Sequence, residues 1–435
     1  MTDSTRLGRA RGKMLPVAIL SAALVAMLAI APLASAASDP IKSGTTTLTI
    51  NSGLNKKAKK AGIKIKAVKP SKIKGTKATF SVTGGEIEPT TGSGSIAHSG
   101  GLKITWGKKS VTLKSFTIDT KKKSLSAKVG GKTIKVASLA GTSTARLGFG
   151  ASVSAKKVKL TSAGAKALNS KLTPAPTKTK VKKHGKTIVK TVKTKPPFKA
   201  NMLLGSSVSE VEPQTVNVLP TGNMVFTGDP TLLTKLNDVE TKLVVIPPTT
   251  AAANVFTSPL SGGTISPLGT SGTVNSAGGL VLTQVLPTSA TTAITTKITL
   301  GSIGVDLSAK TASVEVIGES NAESEGKKPL NVGNLGRSSI ADLVIGSVTP
   351  SPATRTVTVG ASGTIQAVAA EVIEGFVKVY QGYYTQVVAK KLVEEGKTEK
   401  EALELGAKAA EAKVANDHIK AGEPLGTFSF TATGE

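Results

Sequence analysis

The chain of 435 residues has no cysteine, so no disulfide, thiol nucleophile or thiolate metal site is available to it. Aromatic residues make up only 3%, and no tyrosine precedes Tyr380. Carboxylates are nearly missing from the first half, where residues 1–200 hold 5 Asp and Glu against 40 Lys and Arg. So few acids leave no convincing acid/base pair there. The three histidines, His98, His184 and His418, have no carboxylate or second histidine at metal-ligand spacing. Neither a Gly-x-Ser-x-Gly elbow nor a His-Glu-x-x-His helix occurs. Gly131-Lys132-Thr133, Gly185-Lys186-Thr187 and Gly396-Lys397-Thr398 look like the end of a phosphate loop, but the glycine needed five positions earlier is Ser126, Lys180 and Lys391. All three read as turns. Together these absences point away from an enzyme.

Only one long apolar run is present, Leu15 to Leu33, behind the basic residues Arg6, Arg9, Arg11 and Lys13 and ahead of Ala34-Ser35-Ala36. This is the pattern of a secretory signal peptide over 1–36, cleaved near Ala36, and it predicts an exported protein with no membrane span after cleavage, either secreted or associated with the cell wall. A polar spacer over 37–43 follows.

What the chain has in plenty is Gly, Thr, Ser, Val and Lys, a composition suited to short strands and turns. It also repeats itself. Gly84-Gly85-Glu86-Ile87-Glu88-Pro89, running on to Gly100-Gly101-Leu102, recurs without a gap as Gly262-Gly263-Thr264-Ile265-Ser266-Pro267, running on to Gly278-Gly279-Leu280. Paired glycines supply positive φ and close backbone approach, so the shared skeleton reads as strand, tight return, strand. His98 in the first window is Ser276 in the second, so the scaffold is kept while its one candidate ligand is not. A second block, Thr112-Leu113, Ser115, Asp119, Ser126 and Val129, is echoed by Thr299-Leu300, Ser302, Asp306, Ser313 and Val316, and Lys199-Ala200 with Leu204-Gly205 is echoed by Lys420-Ala421 with Leu425-Gly426. The expected fold is mainly β: two tandem β-sandwich domains from an internal duplication, over 44–215 and 216–435.

The copies differ in two insertions. Residues 177–195 carry Lys178, Lys180, Lys182, Lys183, Lys186, Lys190, Lys193 and Lys195 around a His184-Gly185 turn, which reads either as an arm that grips a polyanion or as a solvated, lysine-blunted hairpin. In the second copy, 363–418 reads as an αα-hairpin insertion. Ile365, Val368, Val372, Phe376, Val379, Tyr383 and Val387 recur at helical steps, and Thr398 with Glu401 forms a capping box for the following helix. The charge divides along the same line, +35 over residues 1–200 and −6 over 201–435. An exported chain so charged is expected to meet anionic cell-wall polymers through its first half and envelope proteins through its second. Nucleic acid is a poor fit, because the cations are nearly all lysine and stacking aromatics are missing.

The stretch Gly94-Ser95-Ile96-Ala97-His98-Ser99-Gly100-Gly101-Leu102, with the strand pattern through Val129, in tandem and behind a signal peptide, resembles the HtaA-type domains of exported actinobacterial proteins. The resemblance covers the first copy well and the second more weakly. It implies a β-rich binding domain and, in the members that bind haem, a tyrosine near the domain's start that ligates the iron and a histidine at the position of His98 that hydrogen-bonds that tyrosine. This chain has the histidine without the tyrosine. Two readings therefore stand at this point: a non-catalytic envelope protein that binds wall polyanions or a protein partner, and a haem-binding module of an acquisition system that uses His98. Tyr380, Tyr383 and Tyr384 of the helical insertion are expected to complete a helix core.

Overall fold

The computed structural model describes residues 38–174, 195–321 and 333–435, together with the backbone of 177–183 and 186–192. The proposed signal peptide, the His184-Gly185 turn and Lys193 lie outside the described residues.

Each copy is a closed barrel of eight strands rather than a sandwich. In the first, the strand Asp39–Ile50 pairs on one side with Lys77–Glu88 and on the other with Leu203–Pro213. The ring runs on through Gly150–Leu160, Lys132–Leu147 and Ser124–Val129 to Lys109–Asp119, and returns through Ser93–His98 to Lys77–Glu88. The second ring has the same order: Asn223–Gly228, Pro424–Thr433, Thr356–Ile365, Gly333–Ser351, Thr311–Ser320, Ala293–Asp306, Gly272–Ser276 and Val255–Ile265. Alternating burial is common to sandwiches and barrels, so periodicity could not separate them. Closure is made by the bent strands Lys109–Asp119 and Ala293–Asp306, each broken by a bulge at a residue of positive φ, Ser115 at 50° and Ser302 at 42°. Bulges sharpen twist and let the two halves of one strand serve different neighbours. The first strand begins at Asp39, inside the stretch read as a spacer.

The repeated windows occupy equivalent places. Gly85 pairs with Ile96 and Gly263 with Val274, at the same register in each barrel. These glycines sit at φ 115° and 125°, and a Cβ on either would collide with a facing carbonyl, that of Ser95 or Thr273. Both positions therefore require glycine. The other left-handed positions recur even where the residue differs, as with Gly62 and Glu240, Gly75 and Ala253, and Asn201 and Gly422.

Helix α1 (Ser52–Lys60), capped by Asn51, and helix α3 (Pro230–Asp238), capped by Asp229, hold the same place after the first strand of each barrel. An indole or amide from a matched strand position closes each one. Trp106 Nε1 donates to the Ala61 carbonyl at 3.0 Å, and Gln284 Nε2 to the Val239 carbonyl at 2.7 Å. Helix α2 (Ser162–Leu172) precedes the last strand of the first barrel. In the second barrel its place is taken by α4 (Ala367–Glu394) and α5 (Glu399–Val414), joined across Glu395–Thr398, with the Thr398–Glu401 capping box formed. The buried stripe of α4 is Ala369, Ala370, Ile373, Phe376, Val377 and Tyr380; Val368 and Val387 face solvent. The predicted stripe is thus rotated, because small alanines make the closest approach to the barrel and a count of large apolar residues passes over them.

The two barrels touch. Phe149, at the turn between Lys132–Leu147 and Gly150–Leu160, is 6% exposed and belongs to the core of the second barrel, where it meets Val216 and Gly434. No described helix is long and apolar enough to cross a membrane.

Candidate functional site

The histidine singled out by the sequence is inside the first barrel. His98 ends the strand Ser93–His98 and is 5% exposed. Its Nδ1 lies 3.0 Å from the Phe116 carbonyl and its Nε2 lies 2.6 Å from Thr46 Oγ1. A carbonyl can only accept, so Nδ1 carries a proton. Thr46 Oγ1 is in turn 2.8 Å from Ser209 Oγ on the closing strand. Burial pushes the imidazole below its usual pKa, against a smaller upward effect of the bond to Phe116, which keeps the ring uncharged. Nothing in Thr45-Thr46-Thr47 marks Thr46 as special; only the pairing of the first strand with its neighbours brings it to His98.

The imidazole forms one end of an apolar cavity of about 120 Å³ lined by Leu54 and Ala58 of α1, Leu168 of α2, and Ile63, Phe80 and Phe116 among others. The second barrel has a corresponding cavity of about 60 Å³ between α3 and the sheet, lined by Leu232, Leu236, Leu243 and Phe256 among others. Matched positions explain the difference. Ala58 becomes Leu236, Thr46 becomes Met224 and His98 becomes Ser276. Ser276 Oγ donates to the Ile303 carbonyl at 3.3 Å, the equivalent of the Phe116 carbonyl that His98 uses, and Met224 is buried.

The tyrosines of the insertion lie elsewhere. Tyr380 is buried on α4 with its ring 6.3 Å from that of Tyr383 and 6.1 Å from that of Tyr384, and α4 packs on the second barrel. His418, isolated in sequence, has Nδ1 2.6 Å from Glu374 Oε1. Among the described residues no cluster of three or more His, Asp or Glu could hold a metal ion.

The lysine-rich insertion forms a two-stranded sheet of its own, Thr177–Lys183 paired with Lys186–Val192, and among the described residues neither strand pairs with a barrel strand. Lys178, Lys180, Lys182 and Lys183 fall on its first strand and Lys186 and Lys190 on its second; Lys195 lies beyond it and is exposed.

At the junction of the barrels, Asp39 is buried with Oδ2 unpartnered, while its Oδ1 accepts from Asn217 Nδ2 at 3.5 Å. Burial pushes this carboxyl up to about 7, with the Arg146 guanidinium pulling it down and Glu435 pushing it up. Arg146 bridges the copies, donating from Nη1 to the Glu435 carbonyl at 2.6 Å and from Nη2 to Thr90 Oγ1 at 2.9 Å.

No protein-family model and no curated protein matches the chain. Solved structures do. The C-terminal domain of HtaA from Corynebacterium glutamicum aligns with 50% of this chain and 98% of that domain, at 12% identity and a TM-score of 0.30. The N-terminal domain of the same protein aligns with 50% of this chain and 98% of that domain, at 9% identity and a TM-score of 0.30. Heme binding protein HtaB from the same organism aligns with 51% of this chain and 95% of that chain, at 13% identity and a TM-score of 0.29. The structural neighbours are HtaA and HtaB domains. Each alignment spans about half of this chain, which itself holds two barrels of one strand order.

Whether haem, the group that the sequence resemblance of the first copy implies, suits the first barrel is tested by the residues at His98. Both ring nitrogens are engaged, the partner hydroxyl is that of a threonine, and no tyrosine lies in the barrel. The set does not fit iron ligation. The cavity is also smaller than the roughly 300–1,000 Å³ of ordinary ligand pockets.

Proposed function

We propose that the protein is an exported, non-catalytic binding protein of the HtaA type, in which the first barrel receives an apolar ligand of the haem class through packing, without an iron ligand from the chain. The observation that carries this is the difference between two equivalent cavities. The first is larger, apolar, and lined by a neutral imidazole; the second is smaller, with Leu236 in its wall where the first has Ala58. Haem is the ligand class that the resemblance of the first copy implies. Helix α1 is the wall that yields on entry, since Ala58 is its one buried side chain.

Trp106, the chain's single tryptophan, is fastened to the end of α1 and reports on that wall. Titrating the whole chain with haemin and with iron-free protoporphyrin should quench Trp106 saturably and to a similar degree. The triple variant Thr46→Met, Ala58→Leu, His98→Ser, which copies the second barrel, should lose both responses. Absence of saturable quenching would refute the reading, and a response to haemin alone would refute binding without iron ligation.

A second reading is favoured by the charge. Residues 37–200, with 36 Lys and Arg against 4 Asp and Glu (+32), serve as an anchor to anionic polymers of the cell envelope, with the separate lysine-rich hairpin as one grip. Retention of the whole chain on cell-wall sacculi should fall steeply with salt; retention indifferent to salt would overturn it.

A further inference from the structure

We infer that the outer face of the sheet formed by Ile63–Val68, Gly101–Trp106, Lys109–Asp119, Ser124–Val129 and the start of Lys132–Leu147 is a binding surface for a linear polyanion, a chain of phosphate or carboxylate groups. This deepens the polyanion reading and locates its contact away from the hairpin arm. The cross-strand register puts Lys66 opposite Lys103 and Lys114 opposite Lys128, all exposed. Lys64 lies two residues from Lys66 on the edge strand, and Lys135 pairs opposite Ser126 on the far strand. Between these lysines the face carries Thr105, Ser110, Thr112 and Thr133. Its one carboxylate is Asp119, at the end of the strand Lys109–Asp119.

Like charges directly opposite on neighbouring strands destabilise a sheet. No ion pair offsets them: among the described residues, the ion pair of the first copy is Lys122 Nζ to Asp119 Oδ2 at 3.4 Å, and it includes none of these four lysines. Nor does the fold need them. At matched positions of the second barrel, Lys66–Lys103 is Val244–Val281 and Lys114–Lys128 is Gly301–Glu315, in the same register. The second face also carries Glu319 opposite Lys297. Two faces with one backbone thus differ in the side chains that coat them, and the first carries the excess of positive charge. On the first, the paired lysines stand roughly 5 Å apart across strands and Lys64 and Lys66 roughly 7 Å apart along one, a grid of cations on a hydroxyl-rich surface. The partner such a grid fits is an extended polymer with a repeating negative charge, whose condensed counterions are released on binding.

The experiment uses the whole chain, inorganic polyphosphate as the probe and affinity measured over a range of salt. The face variant Lys64→Gln, Lys66→Gln, Lys103→Gln, Lys114→Gln, Lys128→Gln, Lys135→Gln should bind at least tenfold more weakly. Its slope of log affinity against log salt should be lower by about 4, at roughly 0.7 per lost contact as for a single-stranded polyanion. The arm variant Lys178→Gln, Lys180→Gln, Lys182→Gln, Lys183→Gln, Lys186→Gln, Lys190→Gln should keep most of the affinity. If the arm variant loses binding and the face variant does not, the polyanion reading survives and this assignment of its site is wrong. If the wild-type chain ignores polyphosphate, both fall. Capture by vesicles of anionic phospholipid without binding to polyphosphate would likewise overturn it, in favour of a membrane surface.

Discussion

The two barrels share strand order, register and left-handed backbone positions, and differ in what fills and what coats them. Inside, the first keeps the larger cavity beside a buried imidazole, where the second narrows its own with Leu236 and carries Ser276 in place of the imidazole. Outside, the first sets lysine against lysine across strands, where the second sets valine against valine. A duplicated scaffold tolerates both changes because the geometry that closes it is stored in the main chain. Glycines, bulges and turn residues constrain φ and ψ, while inward and outward side chains can drift within limits of volume and charge.

The most damaging way to break the comparison is at the shared glycines. Gly85→Ala and Gly263→Ala each force a Cβ into a facing carbonyl at a left-handed φ, so each should cost more than about 4 kcal/mol and abolish its barrel's cooperative transition in calorimetry. An unequal response would mean that the copies do not depend alike on this skeleton. Next in size is the cavity itself. Leu236→Ala should cost about 2–5 kcal/mol in denaturant unfolding, whereas Ala58→Leu in the first barrel should be neutral or stabilising, because it enters existing space.

The pH dependence of stability separates the copies further. Asp39 is raised in the folded state to about 7 from an ordinary 3.8, so the unfolded chain holds fewer protons between those values. Its contribution is fully present below the lower value and is lost as pH rises towards 7, amounting to about 2–4 kcal/mol at most. Asp39→Asn should therefore stabilise the protein above pH 7 and flatten the alkaline side of the profile. His98 acts in the opposite sense: its lowered pKa means stability is present above its unfolded value of 6.5 and is lost as pH falls. His98→Ser, the residue of the second copy, should remove that acid-side slope in urea titrations at pH 5 and 7. The smallest effect belongs to the coat. Lys66→Val with Lys103→Val should gain about 0.2–1 kcal/mol at low salt and nothing at high salt, since it removes a like-charge pair that ions screen.

Much of the scaffold was legible in the chain. The paired-glycine windows, the echoed Ser115 and Ser302 and the Thr398–Glu401 capping box all depend on neighbours in sequence, and all are found where their residues place them. The closed barrel in place of a sandwich was not legible, because a strand buries one face in either. Nor was the burial of Ala369 and Ala370, whose small side chains carry little periodic signal. At the candidate site, His98 stood out by composition and position, but its partner did not. Thr46 is 52 residues away and one of three consecutive threonines.

By itself the sequence determined that one glycine-and-strand pattern occurs twice, that its turns are held by glycine, and that the positive charge lies in the first half. These are properties of residues and their near neighbours. Only the tertiary structure decided that His98 is buried and uncharged against Thr46, that Asp39 is caught between the barrels, and that Lys66 faces Lys103 across a sheet. Contacts of that kind depend on strand register and barrel closure, which join residues far apart in the chain and are set by the packing of the whole rather than by any local pattern.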